Sequence, residues 1–194
     1  MSDFLRPRWS CQQGFSLIEI SVVAAILLIV AVIGVPAIQG YVVESRVPKL
    51  AEALQRFVVR ARIAGTGAPA PYAGMETPIL AEALRESGVV TVTGQGAGAQ
   101  VLHGLNDGTI SLAAAARPGQ AAGSAFTLTL DRVHAAACPG LAAAMQLLAS
   151  RVSVQGRGAA VLVKNADASP AQAYDGLRAA AQCTASNTFV FTFP

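Results

Sequence analysis

Charge is scarce in this 194-residue sequence: Asp, Glu, Lys and Arg fill only 13% of positions, against about 25% in an ordinary globular domain. Aromatic residues make up 6%, too few for a core or binding face built mainly on rings. Lysine occurs twice, at Lys49 and Lys164, and the arginines are scattered, so no basic run points to a nucleic-acid partner. Arg117, Arg132, Arg151, Arg157 and Arg178 read as solvated side chains or contacts between subunits. Neither His103 nor His134 stands in a recognisable metal-ligand motif, which argues against a metal. Neither has a recognisable nucleophile beside it and no G-x-S-x-G string occurs, so enzyme chemistry is not expected. Gly94-Gln95-Gly96-Ala97-Gly98-Ala99 formally fits a dinucleotide fingerprint. It lacks a following helix and an acidic residue about 20 positions on, so it reads as a surface loop and no cofactor is expected. Disorder is excluded too, because 53% hydrophobic residues with few charges favour collapse.

What the chain has in quantity is small and apolar residues. It contains 39 Ala and 18 Gly, and they lift the mean hydropathy to +0.49. The apolar residues are unevenly spread. Ile20 to Val43 is a run of 24 residues without a charge. As a helix it would span roughly 36 Å, enough to cross a hydrocarbon layer of about 30 Å. A short polar segment with Arg6 and Arg8 precedes it, which is how an export signal or a membrane anchor begins. The positive flank would stay in the cytoplasm and Glu44 onward would lie outside. An ordinary signal peptide cut near Val35-Pro36-Ala37, leaving Ile38 first, is the rival. It fits poorly, because the run exceeds the usual apolar region and Glu19 at its start goes unexplained.

Between the basic leader and the apolar run stands Gly14-Phe15-Ser16-Leu17-Ile18-Glu19. A carboxylate at the mouth of a membrane span needs hydration or a partner. The string and the helix after it resemble the class III signal of type IV prepilins. The resemblance implies that a membrane-embedded prepilin peptidase cuts after Gly14, removing residues 1–14, and methylates the amine of Phe15. It implies an assembly role for Glu19, four residues beyond the cut, and a helix-kinking role for Pro36.

Past the run, Leu50, Leu54, Phe57 and Val58 recur at helical spacing while Lys49, Glu52, Arg56 and Arg60 fall elsewhere on the wheel. Pro48 predicts a bend within this stretch and not a break. The helix is expected over 15–64, with 20–43 in the membrane, ending near Gly65-Thr66-Gly67. Residues 65–194 read as an α+β head. A helix is expected over 78–87 with Thr77 as its cap, then strands over 89–93 and 126–130. A helix over 139–150 follows, a strand over 159–164, an Ala-rich helix over 171–182, and a closing strand over 189–193. The resemblance implies the same architecture, a long N-terminal helix half-buried in an antiparallel-sheet head.

Removal of the leader would discard Cys11 and leave Cys138 and Cys183 in the exported part, where oxidation is expected. Two separate buried thiols are the alternative to one disulfide. The sequences around these cysteines, Leu130-Asp131-Arg132-Val133 before the first and Thr184 to Phe193 after the second, resemble type IVb pilins of thin conjugative and enteric adhesion pili. A leader of 14 residues and a Phe at the mature start sit nearer the type IVa pattern. The expected function is therefore a structural subunit precursor, the major one, of a type IVb pilus for adhesion, aggregation or conjugation. Its partners would be further copies of itself, the prepilin peptidase, the bacterial inner membrane, and an assembly platform with its ATPase. It would span the inner membrane once, N-terminus in the cytoplasm, and end in an extracellular filament. A minor pilin or a type II secretion pseudopilin is the nearest alternative, and a secreted enzyme a remote one.

Overall fold

The computed structural model describes residues 16–194. Gly14, Phe15 and the leader with Cys11 lie outside them. The chain divides into two compact units, up to Gln39 and from Gly40 onward. One helix, α1 (Leu17–Ala64), supplies the first unit and enters the second, running unbroken past Pro36 and Pro48.

In the second unit α1 is amphipathic. Val47, Leu50, Ala51, Leu54, Phe57, Val58 and Ala61 are buried, at steps of three and four residues, which places them in one stripe. That stripe joins a single core with a seven-stranded antiparallel sheet. The strands are β1 (Thr91–Thr93), β2 (Gln100–Leu102), β3 (Thr109–Ala115), β4 (Ala125–His134), β5 (Arg151–Gln155), β6 (Val161–Asn165) and β7 (Ser186–Phe193). Their order across the sheet is β1-β2-β3-β4-β7-β5-β6, so the last strand sits near the centre. Pairing lines up Leu112, Leu128, Phe191 and Val152 in one row and Ile110, Leu130, Phe189 and Val154 in the next. All eight side chains are buried, and with period-2 alternation they form one face. Phe57 of α1 meets that face edge-on at Phe126, their ring centroids 6.4 Å apart.

Three short helices complete the head: α2 (Thr77–Leu84), α3 (Cys138–Met145) and α4 (Gly176–Gln182). Each departs from the sequence expectation for a local reason. Thr77 does not cap α2, whose N-cap position is Glu76. The Thr77 hydroxyl instead accepts the N–H of Leu112 at 3.1 Å and ties the helix to β3. Helix α3 stops at Met145 and not Ser150. Beyond it the Gln146 carbonyl takes the Lys164 ammonium and the Leu148 carbonyl takes the Arg62 guanidinium. Helix α4 starts at Gly176 and not Ala171, because Asp175 accepts the N–H of Arg178 at 2.9 Å and caps it there. The stretch before it pairs with the outer edge of β6 instead. Gln172 exchanges two backbone hydrogen bonds with Asn165, and the N–H of Asp175 donates to Val163. That cover removes one open strand edge.

Candidate processing and assembly site

The N-terminal end of α1 carries Glu19, one of the residues picked out by sequence. Glu19 lies in its first turn, where the helix dipole favours a negative charge. The turn is closed by the N–H of Ile20 donating to the Ser16 carbonyl at 3.1 Å and the Ser21 hydroxyl donating to Ile18 at 2.8 Å. Glu19, Ile20, Val23, Ala24 and Leu27, four residues apart in two rows, line a shallow groove of about 320 Å³ along one face. Between Leu17 and Val43, Glu19 is the single charged residue. Among the described residues it makes no ion pair. Its surroundings on the helix are apolar and open: Ile18 is 75% exposed, Leu27 62% and Leu28 66%. Such a surface is complementary to lipid or to other apolar helices and not to water. It can bury a carboxylate only beside a positive group.

In the head, Cys138 and Cys183 are joined by a disulfide, with Sγ atoms 1.96 Å and Cα atoms 5.9 Å apart. It links the first turn of α3 to the end of α4. The polar turn after Cys183 is folded around Asn187, which is buried. Its Nδ2 donates to Val133 and Thr184 at 3.0 and 2.7 Å, and its Oδ1 accepts the N–H of Thr184 at 2.7 Å. A side chain on Gly156 would collide with that Oδ1, so glycine is required there. Asparagine in a polar string gives no sequence signal of this role.

Two other polar centres escaped sequence reasoning. Arg117, read there as solvated or intersubunit, pairs with Asp167 at 3.1 Å, and Asp167 also accepts the Ser150 hydroxyl at 3.0 Å. His103 is buried, its Nε2 donating to the Asp131 carbonyl at 2.7 Å and its Nδ1 accepting the N–H of Leu105 at 3.1 Å. Asp131 in turn accepts the N–H and the hydroxyl of Thr109. Gly108 is fixed by this cluster, since a Cβ there would run into the Asp131 carbonyl and the His103 ring. Burial lowers the His103 pKa, and the Asp131 interactions offset part of that. The ring is thus a neutral brace between the β2–β3 turn and β4. Among the described residues no three metal-ligating side chains cluster.

Comparison with known proteins gives two family matches. Residues 66–194 match the family described as PilS N terminal, and residues 9–35 match the prokaryotic N-terminal methylation motif. Among solved structures, the chain is similar to the crystal structure of a type IV b pilin from Salmonella typhi. The two are 22% identical, the match covers 76% of this chain and 95% of that one, and the TM-score is 0.46. No curated protein matches.

Proposed function

The chain belongs to the PilS N-terminal family and is a type IV pilin precursor, and from that premise we propose that it is the major subunit of a type IVb pilus. Residues 1–14 are the leader, 15–64 the anchoring and assembly helix, and 65–194 the head. The prepilin peptidase cuts between Gly14 and Phe15 and methylates the new amine. The subunit then waits in the inner membrane with its N-terminus in the cytoplasm. A platform protein and its ATPase draw it into a helical filament on the cell surface, used for adhesion, aggregation or conjugation. Export into an oxidising compartment closes the Cys138–Cys183 bridge.

One observation carries this reading: the Gly14-to-Glu19 string lies inside the matched methylation motif, and the helix that follows in sequence leaves its large apolar side chains exposed among the described residues. In a filament those side chains are covered by other copies. Glu19 then meets the methylated amine of a neighbour, and the two charges neutralise each other as the helix leaves lipid. A subunit docked out of step leaves one charge unpaired in a medium of low dielectric, so the pairing selects the correct stagger.

Sequencing the N-terminus of the mature subunit and comparing leader removal with sheared-filament yield tests both steps. Methyl-Phe15 is expected as the first residue, and a bulky residue at Gly14 should block cleavage. Glu19→Val should be cut and inserted normally yet lower filament yield by about tenfold or more, because a buried amine loses its counterion. A mature chain beginning at Ile38 would remove the cleavage assignment. Wild-type filament yield from a fully processed Glu19→Val subunit would reduce Glu19 to a hydrated helix-end carboxylate.

A further inference from the structure

A cleft of about 330 Å³ opens where α1 leaves its uncharged run. Its walls come from three elements of the head unit. Helix α1 gives Arg46 and Lys49, the segment entering β1 gives Gly88 to Thr91, and the end of β2 gives His103 and Gly104. Arg46 is already held in place: its Nη1 donates to the Gly104 carbonyl at 3.0 Å, and its other donors have no partner among the described residues. Lys49 is exposed and makes no ion pair among the described residues. Among the described residues no carboxylate lines the cleft. Asp131, which contacts His103 from behind, has its own carboxylate engaged by Thr109 and Arg132. Both ring nitrogens of His103 are taken by backbone groups, so the ring is wall and not ligand. The cleft thus holds two cations with no counterion of its own among the described residues.

Its position says what anion it meets. Arg46 and Lys49 follow the last residue of the uncharged run, Val43, by three and six positions. Along a helix that is about 4.5 and 9 Å. The polar layer on each side of a bilayer is about 5–7 Å deep. Both side chains therefore reach headgroup depth, the lysine by bending its stem back toward the membrane. We infer that the cleft grips the phosphate of an anionic phospholipid in the leaflet the head faces. This holds the unassembled subunit at a fixed depth. The inference rests on the membrane anchoring proposed above.

The two lysines make the test internal. Full-length subunit is reconstituted into vesicles of phosphatidylcholine alone or mixed with phosphatidylglycerol. Flotation reports anchoring, and peptide mass spectrometry reports the rate at which an amine reagent labels Lys49 relative to Lys164. Phosphatidylglycerol should slow labelling of Lys49 by about fivefold, the preference one basic residue gains at an anionic surface. Arg46→Gln should abolish the slowing, and so should Thr91→Glu, which puts an acid in the cleft from an exposed position on an edge strand.

Subunit that floats with both vesicles but labels at the same rate would overturn the cleft while sparing the anchor. Failure to float would remove both. Slowing that survives the two variants would reduce the effect to bulk surface potential. Equal slowing by inorganic phosphate over phosphatidylcholine vesicles would assign the cleft to a free anion. Slowing that follows subunit density and not phosphatidylglycerol would assign it to an acidic side chain of a second copy. Each of those three results overturns the lipid assignment.

Discussion

The two stretches of α1 are built from similar residues and meet opposite fates. Among the described side chains from Leu17 to Val42 the large apolar ones are exposed, Leu17 at 86% and Val32 at 74%. From Val47 to Ala61 the stripe facing the sheet is closed off, with Leu50, Leu54 and Val58 fully buried. The difference lies in what surrounds the apolar positions. In the second stretch Lys49, Glu52, Arg56 and Arg60 fill the outer face, and Glu52 and Arg56 pair with each other. The helix has one wet side and one dry side, and the chain's own sheet supplies the dry partner. The first stretch is apolar all round after Glu19, so no single face of one domain could satisfy it. Only lipid or several copies of the helix can cover every side. Apolar content alone would not separate these stretches; the spacing of the charges does.

The most direct way to break that comparison is the same truncation at two heights. Leu54→Ala should lower the stability of the head by about 2–5 kcal/mol, because Leu54 is fully buried and its truncation opens a cavity in the core. Leu28→Ala should leave head stability within about 0.5 kcal/mol, because its side chain is exposed and belongs to the unit that ends at Gln39. Amide hydrogen exchange of the slowest β4 and β7 protons, with the full-length subunit in detergent, measures both. Equal losses at the two sites would mean that the outer stretch is part of the folding unit.

Periodicity made this helix legible, and it located β4 and β7, where Phe126, Leu128 and Leu130 alternate as cleanly as Phe189, Phe191 and Phe193. It missed β2, β3 and β5. Strand β5 does alternate, with Val152 and Val154 inward, but five residues between a helix and a glycine are a weak signal. In β3 the alternation fades into Ala113, Ala114 and Ala115, which pattern with either face. The string inside the matched methylation motif was legible because its residues stand next to one another in a distinctive order. The braces were not. Thr77, Asn187 and His103 act through backbone groups far away in sequence, and no local pattern announces a partner of that kind.

Arg62 sharpens the comparison at the end of the buried stretch. It is half-buried on α1, donating through Nη2 to the Leu148 carbonyl at 2.7 Å and through Nε to Pro194 at 3.2 Å. One guanidinium thus joins the helix to the loop after α3 and to the residue following β7. Arg62→Met keeps much of the stem packing but strips both donors, and should lower stability by about 1–2 kcal/mol. Arg62→Lys should recover part of this, since an ammonium can serve one carbonyl but not the fork. Exchange of the amides near Leu148 should rise more than that of β3. A uniform rise across the sheet would mean that Arg62 acts on the core as a whole and not as a local tie.

The smallest expected effect is a pH dependence confined to the head. His103 is neutral because burial disfavours its charged form; Asp131 works against that and Arg132 with it. Its Nδ1 must stay unprotonated to accept the Leu105 N–H, so charging the ring breaks a bond as well as burying a charge. The folded pKa lies below the unfolded value of about 6.5, so the unfolded chain takes up the proton first. Stability from this group is therefore complete above pH about 6.5 and declines as pH falls toward the folded pKa, by at most about 1.4 kcal/mol per pH unit. His103→Asn, whose amide oxygen can replace the Nδ1 acceptor, should be less stable than wild type at neutral pH but should lose that slope. His134 is present in both proteins and cancels in the difference. Urea midpoints of the head between pH 7.5 and 5 measure the slope. Amides of the exposed stretch of α1 should not follow it, since they draw nothing from the brace. A slope that persists in His103→Asn would place the titration elsewhere in the head. A slope shared by both stretches of the helix would tie their stabilities together.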